Sequence, residues 1–493
     1  SPLKDSSDNL NLVLPKSESL QKALKLLTVK EITVATKDID DPKGSWLPCV
    51  IGLFGVDNQK SIKVVIVFDI LAAMILGANA DTVSKSMIDA AIKEKVIPKD
   101  IIANCERALH MINLAETALK DIAMPTKSGF KRFIRPTALG TVLVIAPWNY
   151  PYLTAINSLI PALMAGNCVI LKHSAQTLLC AERFAQAFKS AGLPTGVFQF
   201  LHMNHHQTLE LVRHPVINYV CFTGSVEAGR AIEKSAAGLF KGISLELGGK
   251  DAAYVREDAN MANAVENLVD GAFYNSGQSC CGVERIYVHQ ALYDDFVKAF
   301  VAMANELVLG NPLDKNTTLG PMVNVKAADV ARQQIREAKK QGAVCHIEEG
   351  NFIINGQFTH QAKIVDKNIA RQAHSNYLPP QVLTNVTHEM RIMTEETFAP
   401  VVGVMKVDDD DHALSLINDS DFGLTASLWS QDQEACLMLG DKIETGTVYM
   451  NRCDYLDPAL AWVGLKDSGR GCSLSKLAYS QLTRPKSFHF KKV

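Results

Sequence analysis

The sequence predicts an α/β protein built on a doubly wound parallel sheet, and three observations carry that prediction. From about residue 140 onward, short β-branched runs alternate with helical stretches, the pattern of βαβ units. One of these strands passes directly through Thr223-Gly224-Ser225 into a helix. The chain has 493 residues, 47% of them hydrophobic and 21% charged, enough to bury more than one core.

The elements follow in order. Residues 1 to about 60 are punctuated by Pro15, Pro42, Gly44, Pro48 and Gly52 and carry no recognisable chemistry. The most apolar run, Ile62 to Gly77, is interrupted by Lys63 and Asp69 and falls short of the ~18 to 20 residues that span a bilayer. It reads as a buried segment, of strand character at Val64 to Phe68 and helical character beyond. Periodic stretches such as Ile101 to Ile122 predict amphipathic scaffold helices. A basic extended piece, Phe130 to Pro136, then leads into Gly140 to Ala146, a continuous apolar run that fits a buried parallel strand and stops at Pro147. Helix is predicted over Pro151 to Ala165, strand over Asn167 to Lys172, helix over Leu178 to Ala191, and strands over Val197 to Leu201 and Asn218 to Phe222. A second alternating region after Gly310 contains the strands Val344 to Ile347, Val401 to Val407 and Thr447 to Asn451. Asp408 to Asp411 reads as a solvated turn before a helix, and His205-His206 as surface.

Composition excludes several function classes. The formal charge is −2 with no basic block, so a polyanionic partner such as nucleic acid has no electrostatic footprint. Eleven cysteines are scattered without paired metal spacing, no metal site is predicted, and no secretory signal opens the chain, which together point to a reducing, cytoplasmic setting. Small molecules and other copies of the chain are the expected partners, with no membrane.

Three stretches hold candidate chemistry. Asn275-Ser276-Gly277-Gln278-Ser279-Cys280-Cys281-Gly282 sets two thiols in a small, polar, glycine-bracketed segment. A thiolate there is either an activated nucleophile on a loop or one of the many inert packed cysteines. Glu246 and Glu396 each lie in apolar surroundings, where a carboxylate needs a partner or a function. The Thr223-Gly224-Ser225 turn, with Gly229 beyond it, would let a helix N-terminus meet a phosphate. It lacks the G-x-G-x-x-G spacing, so the residues alone leave it a phosphate seat or a plain turn.

Pro147-Trp-Asn-Tyr-Pro151, Phe222-Thr-Gly-Ser225, Leu245-Glu-Leu-Gly-Gly-Lys250, Gly277-Gln-Ser-Cys280, Glu395-Glu-Thr-Phe398 and Lys466-Asp-Ser-Gly-Arg470, in that order, closely resemble the aldehyde dehydrogenase superfamily. The resemblance covers about 130 to 493. It implies that Cys280, the residue after Gly-Gln-x, is the nucleophile and Cys281 its neighbour. It makes Glu246, 34 residues before Cys280, the base that activates water, and the Asn149 amide an oxyanion donor together with the Cys280 backbone N–H. It also implies that Trp148, Lys172, Thr223, Gly224, Ser225 and Gly229 line a dinucleotide site, with Glu396 and Phe398 at the nicotinamide end. The cofactor would be NAD or NADP and the product a carboxylic acid.

Two departures from the family's pattern are informative. After the strand lysine the family often reads Pro-Ser-Glu, whereas this chain has His173-Ser174-Ala175. The missing glutamate would bond the adenosine ribose and repel a 2′-phosphate, so its loss implies that NADP is accepted beside NAD. Ala461-Trp462-Val463-Gly464 replaces a common Pro-Phe-Gly-Gly near the expected tunnel mouth. Thr154 and Asn157 are expected on the tunnel side of the helix after Pro151, which suggests a small polar aldehyde or a semialdehyde with Arg452 as carboxylate partner.

The resemblance implies a Rossmann-like doubly wound cofactor domain over residues 1–123 and 139–248 and an α/β catalytic domain over 249–470. A small β oligomerisation element would combine 124–138 with 474–493, pairing the first segment with a C-terminal strand at Ser487 to Lys491 and supporting a homodimer or homotetramer. Two rivals differ in kind: a CoA-acylating dehydrogenase, against which Glu246 argues, and a catalytically retired dehydrogenase fold acting as a binding or structural protein.

Overall fold

The structure is a computed structural model that describes residues 99–314, 316–347 and 375–493. The expectations for residues 1–98, including the Ile62 to Gly77 run, lie outside the described residues. The chain divides into two compact units: the part up to Val220 together with Ala478–Val493, and Cys221–Leu477.

In the first unit, three strands, Thr141–Ala146, Cys168–His173 and Phe198–Phe200, run parallel, with Val142 opposite Val169 and Val169 opposite Phe198. Val142, Leu143, Val144 and Leu171 are buried, as β-branched and apolar runs in a parallel sheet should be. The strand Ile217–Thr223 begins in this unit, where the Asn218 Oδ1 accepts from Thr141 N at 2.8 Å. The helix Leu178–Ser190 buries Ala181, Phe184, Ala187 and Phe188, one stripe at helical spacing. The helix Lys99–Ala118 buries Ala108, Met111, Ile112 and Ala115, and Arg107 reaches from it to the helix Pro151–Met164, donating to Asn157 Oδ1 at 3.0 Å.

Asn167 shows how a buried amide earns its place. Its Oδ1 accepts from Leu139 N and Gly140 N, and its Nδ2 donates to Ala162 O and Leu482 O. All its hydrogen-bonding capacity toward the backbone is used where an unmade bond would be costly.

Also in the first unit, Phe130–Ala138 pairs antiparallel with Thr483–Lys491 along its full length, from Phe130 opposite Lys491 to Ala138 opposite Thr483. Ile122–Ala123 lies on its other side, so the C-terminal strand forms an edge of the ribbon. Phe133 and Phe488 stack at 4.5 Å across the pair, as do Phe130 and His489 at 5.1 Å. The predicted pairing of these segments is present.

The second unit holds a seven-stranded sheet among the described residues. The order is Val344–Cys345, Gln381–Thr384, Val401–Val407, Val283–His289, Asp251–Val255, Thr425–Trp429 and Thr447–Met450. All neighbours are parallel except the first pair. Residues alternate between two cores: Tyr254, Tyr287 and Leu383 enter one, and Ala253, Val255, Ile286 and Val288 enter the other. That period of two on both faces is what a doubly covered sheet requires.

Asp408, Asp409 and Asp411 are exposed, as expected of a solvated run before a helix, and Asp410 is the exception. Asp409 caps the helix Asp410–Asn418, accepting from His412 N. Asp410 takes hydrogen bonds from the Arg256 guanidinium and from the Tyr254 hydroxyl, 2.9 Å away. A buried tyrosine hydroxyl and a part-buried arginine both need an acceptor, and this run supplies it. His205 and His206 are exposed as expected. No helix among the described residues is long and apolar enough to cross a membrane.

Candidate active site

The helix Met261–Phe273, anchored by buried Leu268, Val269, Ala272 and Phe273, delivers the chain to the two-cysteine segment. There the backbone turns sharply: Asn275, Ser276 and Gly277 all have positive φ, at 49°, 58° and 66°. Three consecutive left-handed residues are unfavourable outside glycine, and local side chains hold them. Ser276 Oγ donates to Gly320 O at 2.7 Å. Gln278 donates to Asn275 O and accepts from Val323 N at 2.7 Å. A Cβ on Gly277 would collide with the carbonyl of Ala399.

This stapled turn separates the two sulfurs. Cys280 is partly exposed and Cys281 is buried, and both are free thiols. Cys281 Sγ lies 2.9 Å from Asp454 Oδ1. The Cys281 thiol is pushed well above its ordinary range by a hydrogen bond with Cys280, then by burial and by the Asp454 carboxyl. A thiol so held is not the attacking group, so Cys280 remains the exposed sulfur on the turn.

Glu246 ends the strand Gly242–Glu246. Its carboxylate accepts from the Thr223 hydroxyl at 3.3 Å and from the Ser473 hydroxyl. Gly224 N donates to Glu246 O, which ties the glycine turn to this strand. The apolar surroundings expected for Glu246 therefore include two hydroxyl donors. Ser473 is held by paired backbone hydrogen bonds with buried Trp462, so the segment that departs from the family's pattern holds a partner of Glu246 in place.

Glu396 sits against Gly248 and Gly249. Gly249 N donates to its Oε1 at 3.1 Å, and a Cβ on Gly248 would strike the carboxylate. Burial, then the nearby Glu284, pushes the Glu396 carboxyl up to about 8, against the Gly249 N–H and Lys250. Behind it, the Lys250 ammonium forms a buried ion pair with Glu284 and donates to Thr397 Oγ1 at 3.1 Å. Glu284 also accepts from Thr397 N and Phe398 N, at 2.9 and 2.8 Å. These bonds fix Phe398, itself at φ 52°. Glu284 is thus the anchor of the Glu396 and Phe398 loop.

The strand Ile217–Thr223 leads through Gly224 to the helix Val226–Ala236, capped by Ser225, whose hydroxyl accepts from Ala228 N at 3.3 Å. A Cβ on Gly229 would come within 2.6 Å of Leu247 Cδ2. The missing side chain lets this helix lie close to the chain beside it, and its N-terminus offers free N–H groups to a phosphate. The polar set on this unit fits a nucleotide: a capped helix start, a glycine approach, and a part-buried carboxylate able to accept from sugar hydroxyls.

In the first unit, Trp148 and Asn149 occupy the turn between the strand Thr141–Ala146 and the helix Pro151–Met164. Lys172 lies near the end of the next strand, and burial lowers its ammonium pKa. The following His173, at a position of departure, has Nε2 2.9 Å from Pro151 O and Nδ1 accepting from Ser174 N. Carbonyl oxygen only accepts, so Nε2 carries the proton and the ring ties the lysine strand to the start of the helix after Asn149. Thr154 and Asn157, expected on the tunnel side of that helix, both have hydrogen-bond partners within this unit. The Thr154 hydroxyl bonds back to Tyr150 O at 2.8 Å, and Asn157 is buried under Arg107.

The structure therefore gathers Thr223, Gly224 and Glu246 at one place, and Glu396 and Phe398 at another that also contacts Gly249. The Gly249 Cα faces the carbonyl of Cys280, which a Cβ would strike. Trp148, Asn149 and Lys172 belong to the other unit. Sequence reasoning missed Glu284, Ser473 and Asp454. A signal existed for Glu284, an acid beside Arg285 inside the apolar strand Val283–His289. Ser473 carried none.

The profile of the aldehyde dehydrogenase family matches residues 97–488. An aldehyde dehydrogenase of Paenarthrobacter nicotinovorans is 38% identical over 68% of this chain and 69% of its own. The NAD(P)+ succinate semialdehyde dehydrogenase Sad of Escherichia coli is 36% identical over the same shares. The solved NADP-dependent glyceraldehyde-3-phosphate dehydrogenase of Bacillus halodurans, complexed with NADP, is 25% identical with a TM-score of 0.76, over 97% of this chain and 92% of that one.

Proposed function

This chain belongs to the aldehyde dehydrogenase family and is NAD(P)-dependent; from that premise we propose that it oxidises an aldehyde to a carboxylic acid through a covalent intermediate on Cys280. The observation that carries the reading is the stapled turn, which exposes one sulfur and retires its neighbour.

In this mechanism the Cys280 thiolate attacks the aldehyde carbon and the carbonyl electron pair moves to oxygen. The Cys280 backbone N–H would donate to that oxyanion, and the family resemblance assigns the Asn149 amide the same role. A nucleotide held by this site would supply the hydride acceptor that the passage from the oxyanion adduct to a thioester requires. Glu246 then takes a proton from water, the water oxygen attacks the thioester carbon, and the C–S bond breaks to return the Cys280 thiolate. Glu396 would accept from ribose hydroxyls and Phe398 would pack the ring. Lys172, Trp148, Thr223, Gly224, Ser225 and Gly229 would seat the rest of the nucleotide.

The test is formation of NAD(P)H with a panel of aldehydes, alongside Cys280→Ser. Turnover abolished in the variant supports the reading. No NAD(P)H from any aldehyde would instead favour a retired fold, and NAD(P)H formation that requires CoA, with acyl-CoA as the product, would favour the acylating rival.

Both cofactors are proposed to be used, because Ala175 is exposed where a ribose-binding glutamate is common. A kcat/KM preference for NAD above about a thousandfold, roughly 4 kcal/mol, would overturn this. A semialdehyde substrate rests on the Sad relative and on exposed Arg452, whose guanidinium lies 3.3 Å from the Tyr455 ring centre. Arg452→Ala should lose activity on succinic semialdehyde and keep it on propanal; equal effects on both would count against it.

A further inference from the structure

Asp454 lies four residues beyond the strand Thr447–Met450, at φ 45°. Its carboxyl is part-buried, and a single oxygen, Oδ1, is 2.9 Å from both Ser279 Oγ and Cys281 Sγ. These are the residues immediately before and after Cys280. Ser279 Oγ also approaches Cys281 Sγ at 3.6 Å, closing a three-membered cluster. Nothing in the proposed chemistry uses this acid, yet even a part-buried carboxyl is costly unless it has work or partners.

We infer that Asp454 is a positioning residue for the nucleophile: by accepting hydrogen bonds from both neighbours of Cys280, it fixes the main chain that carries the sulfur and its N–H. This rests on the reading of Cys280 as the nucleophile. Two anchors on either side of one residue restrict both the direction of Sγ and the direction of the backbone N–H. Those are the two features a thiolate attack and an oxyanion donor require together. The S–H of Cys281 turned toward the carboxyl also keeps that second sulfur a donor. The carboxyl is held up by burial first and by Asp270, and is drawn down by the Cys281 and Ser279 bonds. Because asparagine presents the same Oδ1, the pinning survives loss of the acid.

The backbone at Asp454 favours Asn, Asp and Gly, so two variants can be compared without forcing a new conformation. Asp454→Asn keeps the acceptor and should retain kcat within about threefold. Asp454→Gly removes it and should lower kcat by about tenfold to a hundredfold, the scale of a misplaced reacting group. KM for aldehyde and for nucleotide should stay within about twofold. If Asp454→Gly does not fold, judged by circular dichroism, the double variant Ser279→Ala, Cys281→Ala removes both donors and should show the same kcat loss. An unchanged kcat in the folded glycine or double variant would overturn the proposal. So would an asparagine variant as impaired as the glycine one, since the acceptor would then not be what matters. Cys280→Ala separates the two readings. If it still turns over aldehyde, the nucleophile assignment fails whatever Asp454 does; if it is dead while Asp454→Gly equals wild type, only the positioning role fails.

Discussion

Glu396 shows how one residue can trade stability against readiness to bind. Its carboxyl titrates near 8 in the folded protein because burial opposes its charge, against 4.5 as the ordinary value. The folded state therefore holds the proton more tightly than the unfolded chain, and stability declines as pH rises from about 4.5 through 8. Glu396→Gln removes that titration. The variant should gain on the wild type in unfolding free energy between pH 5 and pH 8.5, by on the order of 1 kcal/mol after allowance for solvent. A constant difference across that range would show that the carboxyl is not perturbed. Glu246 has a different surrounding and a different expected failure. Glu246→Gln should cut steady-state turnover by about a hundredfold or more, yet keep a rapid first formation of about one NAD(P)H per active site. Loss of that burst together with turnover would place Glu246 before the thioester.

At the scale of elements, the turn from Tyr274 to Cys281 depends on backbone shapes that few residues accept. Gly277→Ala would place a methyl against the Ala399 carbonyl at φ 66°. The expected result is a loss of about 2 kcal/mol or more in stability and slower alkylation of Cys280, followed by peptide mass spectrometry. Alkylation at the wild-type rate in a destabilised variant would separate the turn's shape from the thiol's reactivity. The regular elements around this turn were legible in the sequence because period and composition announce them. Gly140 to Ala146 reads as a strand from its β-branched run, and the structure forms one at Thr141–Ala146. Val401–Val407 is a strand with the predicted bounds. The partners were not legible. No local pattern tells that Asp454 reaches Ser279, that Ser473 reaches Glu246, or that Asn157 turns to Arg107, because each bond joins residues far apart in the chain. Asp410 alone of its run departs from the solvated reading, for the same reason: Arg256 and Tyr254 reach it from far away in the chain.

At the scale of the whole molecule, the antiparallel ribbon leaves Thr483–Lys491 as an edge, with Phe490 exposed. An open edge with an aromatic on it is a site for another chain, and we propose that it joins copies of this protein in a homodimer or homotetramer. Light scattering coupled to size-exclusion chromatography should report two or four subunits, with Phe490→Asp shifting the mass downward. An unchanged mass in the variant would remove Phe490 from the interface.

Gly248 and Gly249 have a consequence for how this protein can vary. One backs the Glu396 carboxylate and the other faces the Cys280 carbonyl, so neither has room for even a methyl group. A saturation library across residues 240–255 should therefore show two adjacent silent columns, positions at which every replacement is lost from an activity-selected pool. Flanking Lys241 and Gly242, both outside the buried set, should tolerate many. Adaptation to a new aldehyde would have to travel around these two positions, through loops that do not lean on them.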